Sequence, residues 1–580
     1  MTVANADIAT VFDEIADLLE LTDANPFRVR AYRNAAATVG EWPEPLATWE
    51  HDDRDFDDLP GIGEDLAAKI REILKTGSCR LLRKLRRTGV SGLAALLRVR
   101  GLGPKRIKAL HKALGVHTPR QLLRAASAGR IRELRGFGPT SERRIGEALR
   151  TFLEKQARRL WAVASADAGA ITEYLLRTPA VGRVMVAGSY RRMLETVGDL
   201  DFVVAADDGD TVTKHLAAYA DTRRTLVRGP TRASIELDNG LQVDMRVVAA
   251  DEFGAALLYF TGSRAHTIAL RRIAQQTGLK LNEYGLFRGN RRIAGDSEAS
   301  VYAALGLVDI PPELREDRGE IEAARKHRLP ELIADGDLRG DLHVHTDASD
   351  GSTGLRQMAE AACAAGLEYI AITDHSRNLR IAHGLDTTRL ARQIERIDEL
   401  NGQLQGITLL KGIEVDILED GSLDLPDSVL ARLDLVVGAI HGGFRIDRRR
   451  QTERILRAMD RPGFSILAHP TGRLIGQRPP YDIDLQRIAR HAQQRGCFLE
   501  LNCHPQRVDL NDLNCRVAKD AGAMLAVSSD AHHPTDFASL HFGTGQARRG
   551  WLGKSDVLNT RKLKDLRALL AATMARSTHA

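Results

Sequence analysis

The sequence has few cysteines and no long apolar run. It contains 5 cysteines in 580 residues, an odd number, and no two of them form a Cys-x-x-Cys pair. This pattern argues against a disulfide framework and against a thiolate zinc site. No apolar segment approaches the roughly 20 residues of a membrane span, and the N-terminus carries acids instead of the basic and apolar regions of a signal peptide. We therefore expect no membrane contact and a cytoplasmic location.

The chain is long enough for several domains, and its charge is unevenly distributed. A single hydrophobic core rarely serves more than about 250–300 residues. The net charge is only +6, yet residues 61–150 contain 22 Lys and Arg against 6 Asp and Glu, whereas residues 1–60 contain 4 against 14. Most charge runs are solvated helical faces. A strongly basic segment within a globular chain also indicates a polyanionic partner such as nucleic acid.

A short glycine pattern occurs three times within this basic segment. Each copy reads apolar-x-Gly-apolar-Gly before a helical pattern, which resembles a helix-hairpin-helix motif. The glycines permit a tight turn whose backbone N–H groups can bind a DNA phosphate without reading bases. One copy would predict only a turn, but three copies predict DNA binding. The pairs are Gly61 and Gly63, Gly101 and Gly103, and Gly136 and Gly138.

Two carboxylates stand at the start of an apolar strand pattern. Asp199 and Asp201 are two residues apart, so on a strand both side chains point to the same face. Such crowding requires a cation, and oxygen ligands at that density suit Mg²⁺ held with substrate phosphates. An isolated Asp-x-Asp is more often a solvated strand edge. The preceding Gly188 and Ser189, which offer N–H groups and a hydroxyl to a phosphate, and the charge of Arg192 favour the metal site instead.

A third carboxylate on a neighbouring strand completes the site. Residues 241–248 alternate in strand fashion and place Asp244 on one face. Together with residues 188–201, Asp244 gives a set that resembles the palm of family X DNA polymerases, which include DNA polymerase beta. The resemblance implies that Asp199 and Asp201 hold two Mg²⁺ or Mn²⁺ ions. It also implies that Asp244 binds the catalytic ion and helps to activate the primer 3′-hydroxyl.

The same resemblance implies contacts with the incoming dNTP and with the template. The implied residues are Ser189, Arg192 and Gly198 for the triphosphate, Tyr259, Phe260 and Gly262 for the sugar, and Arg271 for the template minor groove. Two positions depart from the family pattern. Thr267 stands where members often have a minor-groove asparagine, and Arg264 stands where DNA polymerase beta has an acid. These departures bear on fidelity and sugar choice more than on the chemistry.

A lysine follows the first glycine pair in a helical pattern. In DNA polymerase beta this hairpin carries the lysine that forms a Schiff base with deoxyribose phosphate, and Lys69 occupies that place. Tyr32 also matches a residue of that small domain. Asp65 and Ala68 depart from the pattern, because that protein has a lysine and a glutamate there. Two interpretations stay open: Lys69 is a lyase nucleophile, or it only lines the path of the DNA phosphates.

From residue 340 onward, short apolar strands repeatedly end in a residue that can bind a metal ion. Helical patterns separate most of these strands, which predicts a β/α barrel with its site at the carboxyl ends of the strands. A single histidine after a strand is usually structural, but nine candidates at strand ends are hard to assign to packing. The nine candidates are His343, His345, Asp350, His375, Glu414, His441, His469, Asp530 and His532.

This set resembles the polymerase and histidinol phosphatase (PHP) domain, a distorted seven-stranded barrel with a three-metal phosphoesterase centre. All nine ligand positions of that family are filled, so we predict a catalytic centre. Mixed His and carboxylate ligation suits Mn²⁺, Zn²⁺ or Fe²⁺ better than Mg²⁺, and three such ions would promote hydrolysis by lowering the pKa of bound water. Arg473 and Arg507 are candidates for phosphate contacts, or else solvated loop residues.

These patterns together predict a multidomain α/β protein. The helix-hairpin-helix copies, the carboxylate strands and the barrel pattern follow one another along the chain. The predicted layout is a helical N-terminal domain over 1–85, a fingers-like helix-hairpin-helix domain over 86–155, a nucleotidyltransferase palm over 156–250, a polymerase beta-like thumb over 251–316, a linker or connecting helix over 317–339, and a distorted (β/α)7 PHP barrel over 340–580.

This order of modules resembles bacterial family X DNA polymerases with a C-terminal PHP domain. The resemblance implies gap filling in base excision repair, with gapped or nicked DNA and dNTP as substrates. It also implies a 3′-5′ exonuclease and, in some members, cleavage at abasic sites. We expect a nucleoid-associated monomer. Two alternatives stay open: a DNA end-binding scaffold in which both sites have decayed, and a polymerase whose PHP domain hydrolyses small phosphate esters.

Overall fold

A computed structural model of the protein describes residues 5–22, 24–40, 42, 46–49, 55–76, 78–86, 91–99 and 101–574. Arg100, which belongs to the second glycine motif, lies outside these ranges. The chain divides into two compact units, Met1–Ala157 and Arg158–Ala580, and each is described by itself. None of the helices in the described ranges combines the length and the apolar character that crossing a bilayer requires.

The first unit is helical, and its helices bury two apolar clusters. In the first helix Ile8, Phe12 and Ile15 recur at helical spacing and are fully buried. One cluster joins this face to the helices up to residue 85, and the other joins Leu21 to the helices between residues 93 and 149. The helices are α1 (Asn5–Leu21), α2 (Pro26–Gly40), α3 (Leu46–Trp49), α4 (Glu64–Thr76), α5 (Arg80–Arg86), α6 (Pro104–Leu114), α7 (Pro119–Ser127) and α8 (Pro139–Ala157), with 3₁₀ segments at Phe56–Asp58 and Ser91–Arg98.

The three glycine motifs form the same turn. In each copy the N–H of the residue between the two glycines donates to a carbonyl three residues earlier, and all three distances are 3.0 Å. The first glycine of each pair has φ of +75°, +85° and +87° in Gly61, Gly101 and Gly136, a region that favours glycine. Within the described ranges, no atom beyond the adjoining residues lies within 4 Å of a Cβ built on any of the six glycines. Each turn therefore presents open backbone beside the start of a helix.

The second unit begins with a five-stranded sheet flanked by helices. Its elements are β1 (Arg159–Leu160), α9 (Trp161–Leu176), β2 (Val181–Val186), α10 (Gly188–Arg191), β3 (Thr196–Val197), β4 (Asp199–Ala206), α11 (Gly209–Ala217), β5 (Thr222–Gly229), β6 (Arg232–Leu237) and β7 (Gln242–Val248). The five-stranded sheet has the order β2-β4-β7-β6-β5, and β1 and β3 do not belong to it. Only the pair of β4 and β7 runs parallel within this sheet, so the amino-terminal ends of these two strands lie side by side.

A smaller helical region with a three-stranded antiparallel sheet follows. Its elements are α12 (Phe253–Thr261), α13 (Arg264–Gln276), β8 (Lys280–Asn282), β9 (Gly285–Arg288), β10 (Arg291–Ala294), α14 (Glu298–Ala304), a 3₁₀ segment at Pro312–Leu314, and α15 (Glu320–Arg325). Glu320 is fully buried, and its carboxylate accepts from His266 Nδ1 at 2.7 Å, while His266 Nε2 lies 2.9 Å from the Tyr302 hydroxyl. The start of the segment 317–339 is therefore packed onto α13 and α14 as a connecting helix.

The C-terminal region is a barrel of parallel strands. Its strands are β11 (Gly340–Val344), β12 (Tyr369–Ile372), β13 (Thr408–Lys411), β14 (Glu414–Asp416), β15 (Val436–Ala439), β16 (Phe464–Leu467), β17 (Phe498–Asn502) and β18 (Leu525–Ser528). They form two sheets, β11-β12-β13 and β14-β15-β16-β17-β18. β13 and β14 are one strand interrupted at residues 412 and 413, and bridges between His375 and Glu414 and between Val344 and Ala531 join the sheets. The ring has seven strand positions, which confirms the predicted distorted barrel.

Helices surround most of this barrel, as expected for β/α units. They are α16 (Leu355–Ala364), α17 (Thr387–Asn401), α18 (Asp427–Leu430), α19 (Arg448–Met459), α20 (Leu485–Arg495), α21 (Asp512–Asp520), α22 (Ser539–Arg549) and α23 (Leu563–Met574), with 3₁₀ segments at Arg380–Ala382, Asp335–Asp337, Pro534–Ala538, Lys554–Asp556 and Leu558–Thr560.

The palm sheet and the barrel share one apolar core. Val508 and Phe542, which belong to the barrel, are buried in the same cluster as the palm residues. Trp161 lies between Tyr190 and Phe542, with ring centroids 4.9 and 5.1 Å apart and rings nearly parallel. Aromatic stacking of this kind adds to the burial of apolar surface. The palm and the barrel are therefore packed as parts of one unit.

Candidate active sites in the palm and the barrel

The parallel register of β4 and β7 brings the three predicted palm carboxylates to one face. Asp201 lies directly opposite Asp244, and Asp199 lies opposite Gln242. Side chains two residues apart share a face, so Asp199, Asp201 and Asp244 converge at the amino-terminal ends of the strands. The Asp244 carboxylate accepts from the hydroxyl of Ser234 and, at 2.6 Å, from Gln242 Nε2. These two bonds fix the orientation of the third carboxylate.

Crowding raises the pKa of two of these carboxyl groups, and a bound cation would lower it again. Burial and the nearby Asp244 raise the pKa of Asp199. Burial, Asp199 and Asp244 together raise the pKa of Asp201 to about 7. Like charges on neighbouring strands repel one another unless a counter-ion is bound. The donor set consists of carboxylate oxygens, so these residues fit a hard divalent ion such as Mg²⁺.

The backbone before β4 passes unusually close to this carboxylate cluster. Gly188 has φ of +61°, and a Cβ built on it would overlap Asp201 Oδ2. The N–H of Ala187 donates to the carbonyl of Asp201 at 2.6 Å. Residue 188 therefore has to be a glycine both for its conformation and for space. The following residue, Ser189, stands at the beginning of the short helix α10 beside the carboxylates.

The arginines of the segment that is predicted to bind nucleotide have carboxylate partners in the structure. Arg192 Nε donates to Glu316 at 3.0 Å. Arg191 forms two bonds with Glu298, at 2.8 and 2.6 Å. Arg158, which sequence reasoning missed, donates from Nε to Thr196 Oγ1 at 2.8 Å and interacts electrostatically with Asp199. No local sequence pattern marks Arg158, since its position beside the site depends on how β1 pairs with β3.

The remaining residues that are predicted to contact the nucleotide or the template lie on the consecutive helices α12 and α13 and between them. Phe260 lies under the guanidinium of Arg246, 5.5 Å from the ring centroid, and its ring meets that of Tyr259 edge-on at 5.2 Å. Gly262, which ends α12, approaches Arg192 closely, since a built Cβ would lie 3.1 Å from Arg192 Nη1. Arg271 is exposed on α13.

The first hairpin gives Lys69 a carboxylate partner. Its Nζ donates to Asp65 Oδ1 at 2.6 Å and to the Asp65 carbonyl at 3.1 Å. The Tyr32 ring lies 6.0 Å from the same ammonium. Asp65 is one of the two positions that depart from the family pattern, and it lies one helical turn before Lys69. An ammonium held by a carboxylate favours an electrostatic role over a nucleophilic one.

The barrel brings its nine predicted residues together at the carboxyl ends of the strands. Glu414 lies at the centre, because five histidine rings have a nitrogen within 3.6 Å of its carboxylate. Among the described residues three groups have ligand atoms close enough to share a metal ion. The groups are His345, Asp350, His375 and His532; His343, His345 and Asp530; and His375, Glu414 and His441. His469 Nε2 lies 3.1 Å from Glu414 Oε1.

Several buried atoms of this cluster form no hydrogen bond of good geometry in the described part of the chain, although some of them, such as His375 Nδ1 and Glu414 Oε2 at 2.8 Å, lie within ion-pair distance of each other. The atoms without such a hydrogen bond are His343 Nε2, both ring nitrogens of His345, His375 Nδ1, Glu414 Oε2 and His469 Nδ1. Leaving a buried polar atom unpaired is costly, so such a concentration indicates ligand atoms for ions. The PHP residues therefore fit divalent metal ions, as the mixed nitrogen and oxygen donors also indicate.

The protonation equilibria of the cluster agree with this assignment. Burial lowers the pKa of His345 to about 3, with His532 and His375 acting in the same direction, so its imidazole is neutral as a ligand must be. Burial would lower the pKa of His375, but Glu414 and Asp350 outweigh it and raise the value to about 10. A metal ion that binds His375 must displace that proton.

Two buried carboxylates behind the ligands were not predicted. Glu500 accepts from His343 Nδ1 at 2.7 Å, and Asp416 accepts from His441 Nδ1 at 2.6 Å. Each bond leaves Nε2 of its histidine directed toward the cluster. Carboxylates that hold ligating histidines in this way strengthen metal binding. Their sequence signal is weak: Asp416 comes two residues after Glu414, and Glu500 lies within strand β17.

The two arginines considered for phosphate contacts have different surroundings. Arg507 Nε lies 3.6 Å from Asp530 Oδ2, beside the metal-ligand cluster. Arg473 instead donates to the carboxylate of Glu195 in the palm and, at 3.0 Å, to the carbonyl of Val508. Arg473 is thus not a solvated loop residue, because its side chain joins the barrel to the palm.

Comparison with known proteins agrees with this architecture. Family descriptions match residues 3–79 as a helix-hairpin-helix domain, 93–151 as a SAM-like helix-hairpin-helix tandem, 256–316 as a DNA polymerase beta thumb and 341–504 as a PHP domain. A curated relative, the DNA polymerase/3′-5′ exonuclease PolX of Bacillus subtilis, is 38% identical over 97% of this chain and 99% of its own length. The chain belongs to the PolX family.

Other relatives of this PolX-family chain match a smaller part of it. A probable phosphatase of Thermoanaerobacter sp. is 29% identical over 38% of this chain and 89% of its own length. A probable phosphatase of Acetivibrio thermocellus is 31% identical over 33% of this chain and 78% of its own length. These phosphatase relatives match little more than a third of this chain, whereas the PolX relative matches nearly all of it.

The close approach of Gly188 to Asp201 makes a first prediction. Gly188→Ala should reduce primer extension on the order of 100-fold, because a displacement of about 1 Å in a positioned site has effects of that size. Gly278→Ala is the matched control, since Gly278 also has a positive φ (+70°) but no atom of the described chain lies within 4 Å of its built Cβ. Extension rates at saturating dNTP measure the effect. Equal rates for the two variants would contradict the crowding argument.

The bond from His343 to Glu500 makes a second prediction. Glu500→Gln weakens the acceptor that directs His343 Nε2 toward the cluster, so metal affinity should fall on the order of 10–100-fold. Metal bound per chain, measured by elemental analysis after dialysis against buffered Mn²⁺, reports the change without an activity assay. Glu399→Gln, at an exposed glutamate of the barrel, should bind as the wild type does. Unchanged metal content in Glu500→Gln would show that Glu500 does not support the ligand.

Proposed function

We propose that the chain is a DNA-directed DNA polymerase that fills short gaps in DNA and that its PHP barrel is a 3′-5′ exonuclease. The observation that carries the proposal is the convergence, in one chain, of two groups of predicted metal ligands, the palm carboxylates and the nine barrel residues. A scaffold with decayed sites would not account for this concentration of buried histidines and carboxylates in the barrel. The PolX relative carries both activities in its name and matches nearly the whole chain.

In the palm, the strands hold the reacting groups and the preceding loop binds the triphosphate. Asp199, Asp201 and Asp244 would hold two divalent ions, which we propose to be Mg²⁺ or Mn²⁺ and which supply charge stabilisation when bound. Asp244, whose carboxylate accepts two hydrogen bonds, would orient and deprotonate the primer 3′-hydroxyl. Arg192 and the N–H groups after Gly188 would bind the phosphates of the incoming dNTP.

In the barrel, the nine residues would hold three divalent ions, which we propose to be Mn²⁺, Zn²⁺ or Fe²⁺. When bound, such ions activate water and stabilise charge on a phosphodiester. Arg507, beside Asp530, is placed to contact the phosphate of a DNA 3′ end. Hydrolysis there removes a terminal nucleotide, and the shortened 3′ end is again a substrate for the palm. Cleavage at abasic sites would use the same chemistry.

The first unit is proposed to bind gapped or nicked DNA. Its three equivalent turns offer open backbone N–H groups at helix starts, within a segment that has a surplus of basic residues. Contacts of this kind hold phosphates without reading bases, so binding should weaken steeply with salt. Lys69 would line the phosphate path. We propose that the chain acts as a nucleoid-associated monomer.

A second candidate for the barrel is the hydrolysis of small phosphate esters. The relatives that match about a third of this chain are named probable phosphatases, and we take the matched part to be the barrel. A barrel specific for DNA ends should hydrolyse 3′-labelled DNA much faster than p-nitrophenyl phosphate with Mn²⁺. Equal rates on both would favour the small-ester candidate and leave the polymerase proposal untouched.

Two paired substitutions test the proposal. Asp199→Ala with Asp201→Ala removes palm ligands, and His343→Ala with His345→Ala removes barrel ligands. On a one-nucleotide-gapped duplex with Mn²⁺, the first pair should abolish extension but leave primer shortening, and the second pair should do the reverse. Each loss should exceed about 1000-fold, because a hydrolytic or transfer site without its metal ligands loses the bound ions.

Primer length on denaturing gels measures both activities in one reaction. A wild-type protein that neither extends nor shortens the primer would overturn both activities and favour the scaffold. Loss of both activities in either paired variant would contradict the assignment of separate sites.

A further inference from the structure

We propose that helix α22 of the PHP barrel positions the nucleotide-binding loop of the polymerase, and that Arg549 is its principal positioning residue. The nucleotide-binding loop is the segment of residues 188–198. This inference rests on the polymerase activity proposed above and adds a residue, outside the palm and the thumb, that determines how tightly the polymerase binds dNTP.

One face of α22 is turned toward this loop. Phe542, Gly545, Gln546 and Arg549 recur at helical spacing and are all buried. Phe542 stacks on Trp161, which in turn stacks on the loop residue Tyr190. A helix of the nuclease barrel therefore contributes a packed surface beneath the polymerase loop.

Hydrogen bonds from α22 fix the loop backbone. Arg549 Nη1 donates to the carbonyl of Arg192 at 2.7 Å, and Gln546 Nε2 donates to the carbonyl of Met193. Met193 has φ of +57°, a conformation that a non-glycine residue keeps only when its surroundings enforce it. A Cβ built on Gly545 would overlap the Met193 side chain, so α22 approaches the loop as closely as it can.

Arg549 also shares a carboxylate with the arginine that is proposed to bind the triphosphate. Glu316 Oε1 accepts from Arg192 Nε and from Arg549 Nη1, both at 3.0 Å. The side chain of Arg549 is 3% exposed, so the interaction is weakly screened by solvent. Because Arg549 neutralises Glu316, the charge of Arg192 remains available to a phosphate.

A second carboxylate holds Arg549 in place. Arg549 Nη2 donates to Asp512 Oδ2 at 2.7 Å, and Arg318 Nη1 donates to the same oxygen at 2.9 Å. The guanidinium is thus fixed between Glu316 and Asp512, neither of which is among the nine barrel ligands. When Arg549 is removed, Asp512 is still paired with Arg318. Glu316 is still paired with Arg192, and without Arg549 its carboxylate competes with the triphosphate for the Arg192 guanidinium.

This arrangement predicts a specific kinetic signature. Arg549→Met should raise the KM for dNTP about tenfold with a smaller change in kcat, because a binding contact and not the reacting centre is lost. Its exonuclease rate on single-stranded DNA should stay within about twofold of the wild type, since Arg549 bonds to no barrel ligand.

Arg548→Met is the matched control. Arg548 is the neighbour of Arg549 on the same helix and also crosses to the thumb, where it donates to Glu313 at 2.8 Å. Arg548 makes no bond to the nucleotide-binding loop in the described structure. The KM of Arg548→Met for dNTP should therefore equal that of the wild type. Equal KM values in Arg549→Met and Arg548→Met would overturn the proposal.

A second-site substitution separates positioning from a general structural role. Glu316→Gln in the Arg549→Met background removes the competing charge, so the KM for dNTP should fall back toward the wild-type value. A further rise in KM would show that Arg549 only supports the fold. Should Arg549→Met also lose its exonuclease, Arg549→Gln replaces it in the same comparison, because glutamine can still donate a hydrogen bond but carries no charge to neutralise Glu316. A wild-type KM in Arg549→Gln would then overturn the proposal.

Failure of the proposed polymerase activity would appear differently. In that case the wild-type protein itself would not extend a primer. An extending wild type with an unaffected Arg549→Met variant would overturn the positioning role alone.

Discussion

The structure depends on the convergence of like-charged or metal-binding groups at the ends of neighbouring parallel strands. In the palm, one pair of parallel strands sets Asp201 opposite Asp244. In the barrel, seven strand positions direct nine residues to one end, with Glu414 among five imidazoles. Burial makes both arrangements unfavourable without cations. We therefore expect each site to bind cations before a substrate reacts there.

The two sites belong to one packed unit and are not independent modules on a flexible connection. Val508 and Phe542 of the barrel complete the apolar core of the palm. The arginine contacts at the same boundary, Arg473 with Glu195 and Arg549 with the carbonyl of Arg192, reach the loop that precedes the palm carboxylates. A shared core of this kind resists separation, since breaking it would expose apolar surface. Extension and trimming of a 3′ end are thus properties of a single folded body.

Most of the ligands could be predicted from the sequence, because their positions follow from local periodicity. The alternation along a strand places Asp199 with Asp201, and strand ends mark the histidines from His343 onward. The three glycine motifs were likewise recognisable as equivalent turns before the structure showed equal hydrogen bonds in all three. At these positions the local sequence pattern and the folded structure bring the same residues together.

The supporting residues could not be predicted, because they depend on packing between distant segments. Glu500 reaches His343 across 157 residues, and Arg549 reaches Arg192 across 357. Arg473 was expected at a phosphate or in solvent and instead contacts the palm. Arg158 lies beside Asp199 only because two very short strands pair. None of these contacts has a spacing that a linear pattern could reveal.

The most direct test of the account is the conversion of dNTP to dNMP on a one-nucleotide-gapped duplex. A chain that extends and trims the same 3′ end should release dNMP continuously while the average primer length stays constant. Substitution of the palm pair, Asp199 and Asp201, or of the barrel pair, His343 and His345, should each stop the release of labelled dNMP from labelled dNTP, although the palm variant still releases unlabelled dNMP as it shortens the primer. Continued conversion of labelled dNTP to dNMP after either substitution would contradict the account of two sites that act in sequence on one DNA end.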